Sequence, residues 1–186
     1  MLKEYQEKIQ SLYQDYPEIP YISEDRDMKQ WLKKLILKTE SLVPKRNMIR
    51  TEEGLLAGDI ILLWQISLGT YTTESWTPKY FEYDYGIHCE ASLKSLIQEG
   101  FVYQFSARDS LQYVPATVLK AILKSADIKG LSKLNKDDLV NLSQQKLTDE
   151  QLETFVDIRG YGLTDKGRAA LDNNPEIIDR HPKKNL

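Results

Sequence analysis

A single cysteine, Cys89, and two histidines bound the chemistry open to this chain. One thiol excludes an internal disulfide, and so small a His/Cys set excludes the usual zinc sites. An excess of charge of one sign is also missing. Lysine and arginine number 25 against 28 aspartates and glutamates, for a net charge of −3. A strongly basic nucleic-acid binder looks different, so any contact with DNA has to come from a local patch. Long apolar runs are missing too. The longest, Ile60 to Trp64, is far below the roughly 20 residues needed to span a bilayer. The N-terminal MLKEYQEKIQ is charged and lacks the apolar region of a signal peptide. The expectation is a soluble cytoplasmic protein with no membrane partner. No internal repeat or low-complexity segment is visible.

Catalytic sequence patterns are absent as well. There is no glycine-rich phosphate loop, nucleophile elbow or metal-spaced His/Cys group. An enzyme free of such motifs would have to bring carboxylates such as Asp59, Glu82 and Asp84 together in space. The reading is therefore of a chain with no catalytic residues, no metal site and no cofactor.

What is present is the composition of a folded protein. At 186 residues, with 41% apolar and 10% aromatic side chains, the chain can bury one good core, or a core and a small module. Leu2, Tyr5, Ile9, Leu12, Tyr13 and Tyr16 recur at helical spacing, and Pro17 predicts the end of that first helix. Met28, Trp31, Leu32, Leu35 and Ile36 form a second stripe, with Lys29, Lys33, Lys34 and Lys38 on its other face. Pro44 to Thr51 reads as a polar connector with a basic spot at Lys45, Arg46 and Arg50. Leu55 to Leu68 is apolar nearly all round and predicts the central buried helix.

Thr70 to Tyr85, TYTTESWTPKYFEYDY, has no clean helical period. Two readings compete. One is an aromatic pocket with paired carboxylates Glu82 and Asp84 that binds a ligand, a metal or a base. The other is a tyrosine-rich loop and short helix pinned to the core through rings and hydroxyls. Ala91, Leu93, Leu96 and Ile97 then predict a helix over 89–99 that stops at Gly100. Phe101 to Phe105 reads as a strand, and Phe155 to Leu163 has strand character. Thr164 is placed to cap a helix over DKGRAALDN. The tail PEIIDRHPKKNL starts as a short helix. It ends in Arg180, His181, Lys183 and Lys184, candidates for a phosphate-seeking arm.

Between the two strand segments lies PATVLKAILKSADIKGLSKLNKDDLVNL, Pro115 to Leu142. Val118, Leu119, Ile122 and Leu123 share one side of a short helix, and Lys120 and Lys124 lie on another. Ile128, Leu131 and Leu134 predict an ordered loop. Asn135 is the expected N-cap of a second helix that buries Leu139, Val140 and Leu142, and Thr148 with Gln151 forms a capping-box pattern for a third.

On its apolar first helix, its Ile128-Lys129-Gly130 step and its Lys136-Asp137-Asp138-Leu139 start of helix two, this stretch resembles the helix–extended loop–helix family. That family includes SAP modules and the N-terminal segment of the transcription terminator Rho, whose spacing the interval from Gly130 to Leu139 matches better. The resemblance implies DNA or RNA binding by the loop and the start of helix two. In this chain the residues concerned are Lys120, Lys124, Lys129, Ser132, Lys133, Asn135 and Lys136. Backbone N–H groups at a helix N-terminus favour phosphate. Asp137 and Asp138 in the same turn oppose it.

The flanking LIQEGFV and GLTDKGRAAL are similar to the parts of a bacterial winged helix that enter and leave its wing. That resemblance makes 89–99 the groove-reading helix, with Lys94, Ser95 and Gln98 exposed. The whole chain also resembles small proteins of Firmicutes and their phages that carry such a module. The expected fold is mainly α with a small β-hairpin: a winged-helix-like body with a SAP/Rho-N-like module set into it. The expected divisions are an N-terminal helical region 1–50, a body of 51–108 and 155–186, and a module of 109–154. The function expected is non-catalytic nucleic-acid binding or regulation. The alternative is a protein–protein adaptor of a phage or mobile element, motivated by the net acidity and the tyrosine-rich stretch.

Overall fold

The structure is a computed structural model and describes residues 2–182. The chain is mainly helical with one small antiparallel strand pair. The helices α1 (Leu2–Leu12), α2 (Met28–Ile36), α3 (Ala57–Ser67), α4 (Tyr80–Tyr83) and α5 (Cys89–Gln98) precede strand β1 (Val102–Gln104). Then come α6 (Ala116–Ser125), α7 (Lys136–Lys146), α8 (Asp149–Phe155), strand β2 (Tyr161–Leu163), α9 (Asp165–Asn173) and α10 (Pro175–Asp179). Among the described residues no helix is long and apolar enough to cross a membrane. The chain divides into two compact units. Of the described residues, the first holds 2–64, 76–102 and 164–182, and the second holds 65–75 and 103–163.

The first unit is built on α3. Ile60, Ile61, Leu62 and Leu63 are fully buried, as expected of a helix apolar on every side. Gly58 is required near its start, because a Cβ there would sit 2.8 Å from Ile87 Cδ1. On α2, Met28, Trp31 and Leu32 are buried, and Asp27 caps the helix by accepting from Gln30 N at 2.9 Å. Ile36 departs from the expected stripe and is 79% exposed. The helix stops there, and Lys38 turns the chain in the left-handed region at φ 55°. The connector after Pro44 is less polar in its packing than its sequence suggests. Lys45–Met48 is a 3-10 turn that buries Asn47 and Met48, and Asn47 Nδ2 donates to Asp84 O at 2.8 Å. Helix α5 ends at Gly100, φ 77°, with Phe101 N–H donating to Leu96 O. The Thr164 hydroxyl oxygen accepts from Gly167 N at 3.1 Å and so caps α9.

The second unit holds an aliphatic cluster of Leu111, Val114, Leu119, Ile122, Leu123, Leu131, Leu139, Leu147, Leu152 and Val156 with Ala107. Every one of these is a residue with no polar side-chain atom to satisfy, so the interior between α6, α7 and α8 is held by packing, while at its edge Arg108 donates to Gln144 O and Leu147 O and pairs with Asp149. Helix α6 ends in a left-handed turn at Asp127, φ 58°, with Asp127 N–H donating to Lys124 O and Ile128 N–H to Leu123 O. Ile128, Leu134, Val140 and Leu142 pack at the edge of the cluster. Asn135 and Asp138 cap α7 reciprocally, and Thr148 and Gln151 do the same for α8.

Strand character does not extend over Phe155 to Leu163 as expected. Phe155 closes α8, and only Tyr161–Leu163 is strand. The Thr148 capping box commits the preceding residues to helix before the apolar alternation can act. β1 and β2 pair with each other, and just beyond their paired residues Phe105 N–H donates to Gly160 O at 2.9 Å. On the other side of β2, Thr72 forms an antiparallel bridge with Gly160, and Thr73 N–H donates to Arg159 O at 2.8 Å. Ser110, fully buried, completes this edge by accepting from Gly160 N at 3.1 Å.

Candidate nucleic-acid interface

The left-handed turn at Asp127 sends the chain from the end of α6 back along that helix. Gly130, at φ 82°, turns it again. The result is a depression of about 360 Å³ lined by Lys120, Lys124, Ile128, Lys129, Gly130, Leu131 and Ser132. Lys120 and Lys124 reach it from one face of α6, being four residues apart. Lys129 and Ser132 come from the loop. Lys120 is half-buried, and Lys124, Lys129 and Ser132 are exposed. Ile128 and Leu131 form its apolar floor. Among the described residues, none of Lys120, Lys124, Lys129, Lys133 and Lys136 takes part in an ion pair.

Lys133, Asn135 and Lys136 follow in the loop and at the head of α7, all exposed. Asn135 is the N-cap of α7 that its position predicts. Its Oδ1 accepts from Asp138 N at 2.9 Å, while Asp138 Oδ2 accepts from Asn135 N at 3.1 Å. The head of α7 is therefore capped from within the chain, and the Asp138 carboxylate is folded onto its own backbone. The Asp138 and Asn135 N–H groups are thereby taken, and the lysine side chains and the Asn135 Nδ2 amide are donors that the cap does not use.

Lys94 is exposed on α5 and belongs to the first unit, as do the exposed Ser95 and Gln98. The lysines of α2 are exposed, and Lys34 pairs with Glu40 at 3.3 Å. Arg50 is engaged by Glu18 in a two-pronged pair and donates to Gly54 O at 2.6 Å. Of the tail candidates, Arg180 is exposed, and its Nη2 donates to Asn47 Oδ1 at 3.4 Å. His181 is buried, and Lys183 and Lys184 lie outside the described residues.

The Trp76 to Tyr85 stretch does not pair its carboxylates. Glu82 Oε1 accepts from Ser23 N at 2.9 Å and Arg26 Nε at 2.7 Å. The buried Arg26 guanidinium lies 4.0 Å from the centre of the Tyr83 ring. The Tyr85 hydroxyl is 2.7 Å from His181 Nδ1, and the Tyr80 and Trp64 rings pack on the same imidazole. Burial pushes both the Tyr80 and the Tyr85 phenol up to about 12. Burial also holds His181 below the usual histidine value, partly offset by Asp84. Asp59 accepts from Leu56 N at 2.9 Å and so serves the first turn of α3; burial raises its pKa. Among the described residues no three His, Cys, Asp or Glu side chains form a group able to hold a metal ion.

Sequence reasoning missed Arg26, Asp59 and His181 as buried groups. A lone arginine between Asp25 and Asp27 reads as surface, and its partner Glu82 lies 56 residues away. The chain matches no protein-family model, no curated protein and no solved structure.

Proposed function

We propose that this protein is a non-catalytic nucleic-acid-binding or regulatory protein that contacts phosphates through the α6–loop–α7 module. The observation that carries the reading is the convergence of Lys120, Lys124, Lys129 and Ser132 on one depression, with no carboxylate in an ion pair with any of these lysines among the described residues. Ammonium groups arranged around an apolar floor suit a chain of phosphodiesters, which need charge and tolerate sliding. Lys133 and Lys136 extend the charge along the loop. The order α3, bridge at Thr72, α4, α5, β1, module, β2 supports a winged-helix-like body with the module set between its two wing strands. The non-catalytic part of the reading is supported by the buried and half-buried carboxylates, since Glu82 pairs with Arg26 and Asp59 serves α3. A cytoplasmic location belongs to the same proposal.

The test is a fluorescence-anisotropy titration of duplex and single-stranded DNA, and of RNA, at low and moderate salt. Wild type should bind, with affinity falling as salt rises, and Lys124→Glu/Lys129→Glu should bind more weakly with a shallower salt dependence. Absence of binding to all three at low salt would sink the proposal. A second reading, a protein–protein adaptor, is favoured by the exposed Ile36, Leu37 and Trp76, at 79%, 60% and 75%.

A further inference from the structure

Glycine and aromatic residues face each other across the strand pair of the second unit. A Cβ at Gly160 would lie 2.3 Å from Tyr113 Cε2 and 2.7 Å from Phe105 Cδ2. A Cβ at Gly162 would lie 2.7 Å from Phe105 Cε1 and 2.8 Å from Tyr103 Cζ. The three rings therefore lie against the bare backbone of Gly160, just before β2, and of Gly162 within it, in room that only glycine leaves. Their centroids are 5.5 Å apart from Tyr103 to Phe105 and 6.4 Å from Phe105 to Tyr113, and the second pair is nearly parallel, at 22°. The row is not sealed into the core. Tyr103 is 49% exposed, and Phe105 and Tyr113 are each partly exposed. The Tyr113 hydroxyl donates to Gly69 O at 3.0 Å, which anchors that end of the row. From Tyr113 the chain passes through Val114 and Pro115 into α6, which carries Lys120 and Lys124.

We infer that Tyr103, Phe105 and Tyr113, laid on Gly160 and Gly162, form a stacking platform for the unpaired bases of a single-stranded nucleic acid. The inference rests on the nucleic-acid reading above and narrows it to a substrate class. Its physics is direct. A base stacks on an aromatic face whatever its identity, so a row of rings held against glycine is tolerant of sequence. In a duplex the base faces are already covered by their neighbours, so the platform discriminates against it. The lysines of the same unit supply the charge that follows the backbone of the strand.

The experiment uses the full chain, a labelled oligothymidine and a labelled duplex. Tyr103 is the most exposed ring, so Tyr103→Ala leaves the fold in place, as an unchanged circular-dichroism melt would verify. It should weaken oligothymidine binding about tenfold, within the range found for single stacked bases, and leave duplex binding unaltered. Tyr103→Phe should bind as wild type does. In Tyr103→Trp, the added indole emission should be quenched as oligothymidine is titrated. Equal oligothymidine affinity in wild type and Tyr103→Ala would overturn the platform, as would duplex binding without single-strand binding; both leave the broader nucleic-acid reading standing. Binding to neither ligand would overturn both. Self-association lost in Tyr103→Ala, without single-strand binding, would assign the face to a second copy of the chain and overturn the platform.

Discussion

In the second unit the buried cluster is aliphatic from Ala107 to Val156, and its buried polar side chains are two serines, Ser110 and Ser143. In the first unit Tyr13, Trp31, Phe81 and Tyr85 share the interior with Arg26, Asn47, Asp59, Asn174 and His181. The two interiors put different demands on the sequence. An aliphatic cluster tolerates exchange of one branched side chain for another of similar volume, because packing is its chief requirement. A buried guanidinium or imidazole needs a partner of fixed geometry, and that partner is as indispensable as the group itself. The first unit therefore concentrates its sensitivity in a few polar pairs, and the second spreads it over many methyl groups.

The largest effect should come from breaking the most buried ion pair. Arg26 and Glu82 side chains are 3% and 17% exposed. Glu82→Ala leaves the guanidinium without its counter-charge and should destabilise by about 4 kcal/mol. All three tryptophans, Trp31, Trp64 and Trp76, lie in the first unit. Their fluorescence during urea unfolding reports that unit, while circular dichroism reports both. An unchanged tryptophan midpoint in Glu82→Ala would remove the first unit's side of the contrast.

Next is Leu139→Ala in the second unit, at a side chain with no exposure. It should cost about 3 kcal/mol, and Leu139→Met less than half as much. Circular dichroism should register the loss. Equal penalties for the two substitutions would show that this cluster is as exacting as the polar one.

Acid should act through His181. An unfolded histidine titrates near about 6.5, and burial depresses the folded value. The unfolded state thus takes up the proton first. The contribution is complete above the unfolded value and is lost as pH falls through the folded one. The tryptophan midpoint should fall between neutral pH and about pH 5.5. His181→Phe should flatten that fall, and an identical fall in the variant would exclude His181 as the cause.

The smallest expected effects are gains. Ser143 Oγ is buried with no hydrogen-bond partner among the described residues, so Ser143→Ala should be neutral or stabilising by about 1 kcal/mol. Helices α2, α5 and α6 turn through Lys38, Gly100 and Asp127, at φ 55°, 77° and 58°. Glycine relieves the left-handed strain at the third, so Asp127→Gly should gain about 0.5 kcal/mol in chemical denaturation. Destabilisation by that change would mean that the Asp127 side chain contributes more than the turn costs.

Much of this fold was legible locally. The α9 span DKGRAALDN, the caps at Asn135, Thr148 and Thr164 and the stop at Gly100 depend on residues within about one helical turn of each other. The buried α3 was legible because it is apolar all round. Ile36 was not, because periodicity does not say where a helix leaves the surface it packs on. The strand expected from Phe155 was lost to a helix cap seven residues upstream. Of the candidate site, Lys120, Lys124, Lys129 and Ser132 were named from sequence and come together at the depression. Lys94 is in the other unit, and Asn135 has its side-chain oxygen committed to the cap.

By itself the sequence determined the helical stripes, their caps and the run of lysines in an ordered loop, since each depends on side chains close together in the chain. Only the tertiary structure decided that Glu82 answers Arg26 rather than a ligand, that His181 is interior rather than part of a basic tail, and that three rings rest on two glycines. Those outcomes depend on pairs separated by tens of residues, which no local period encodes and which burial then makes obligatory.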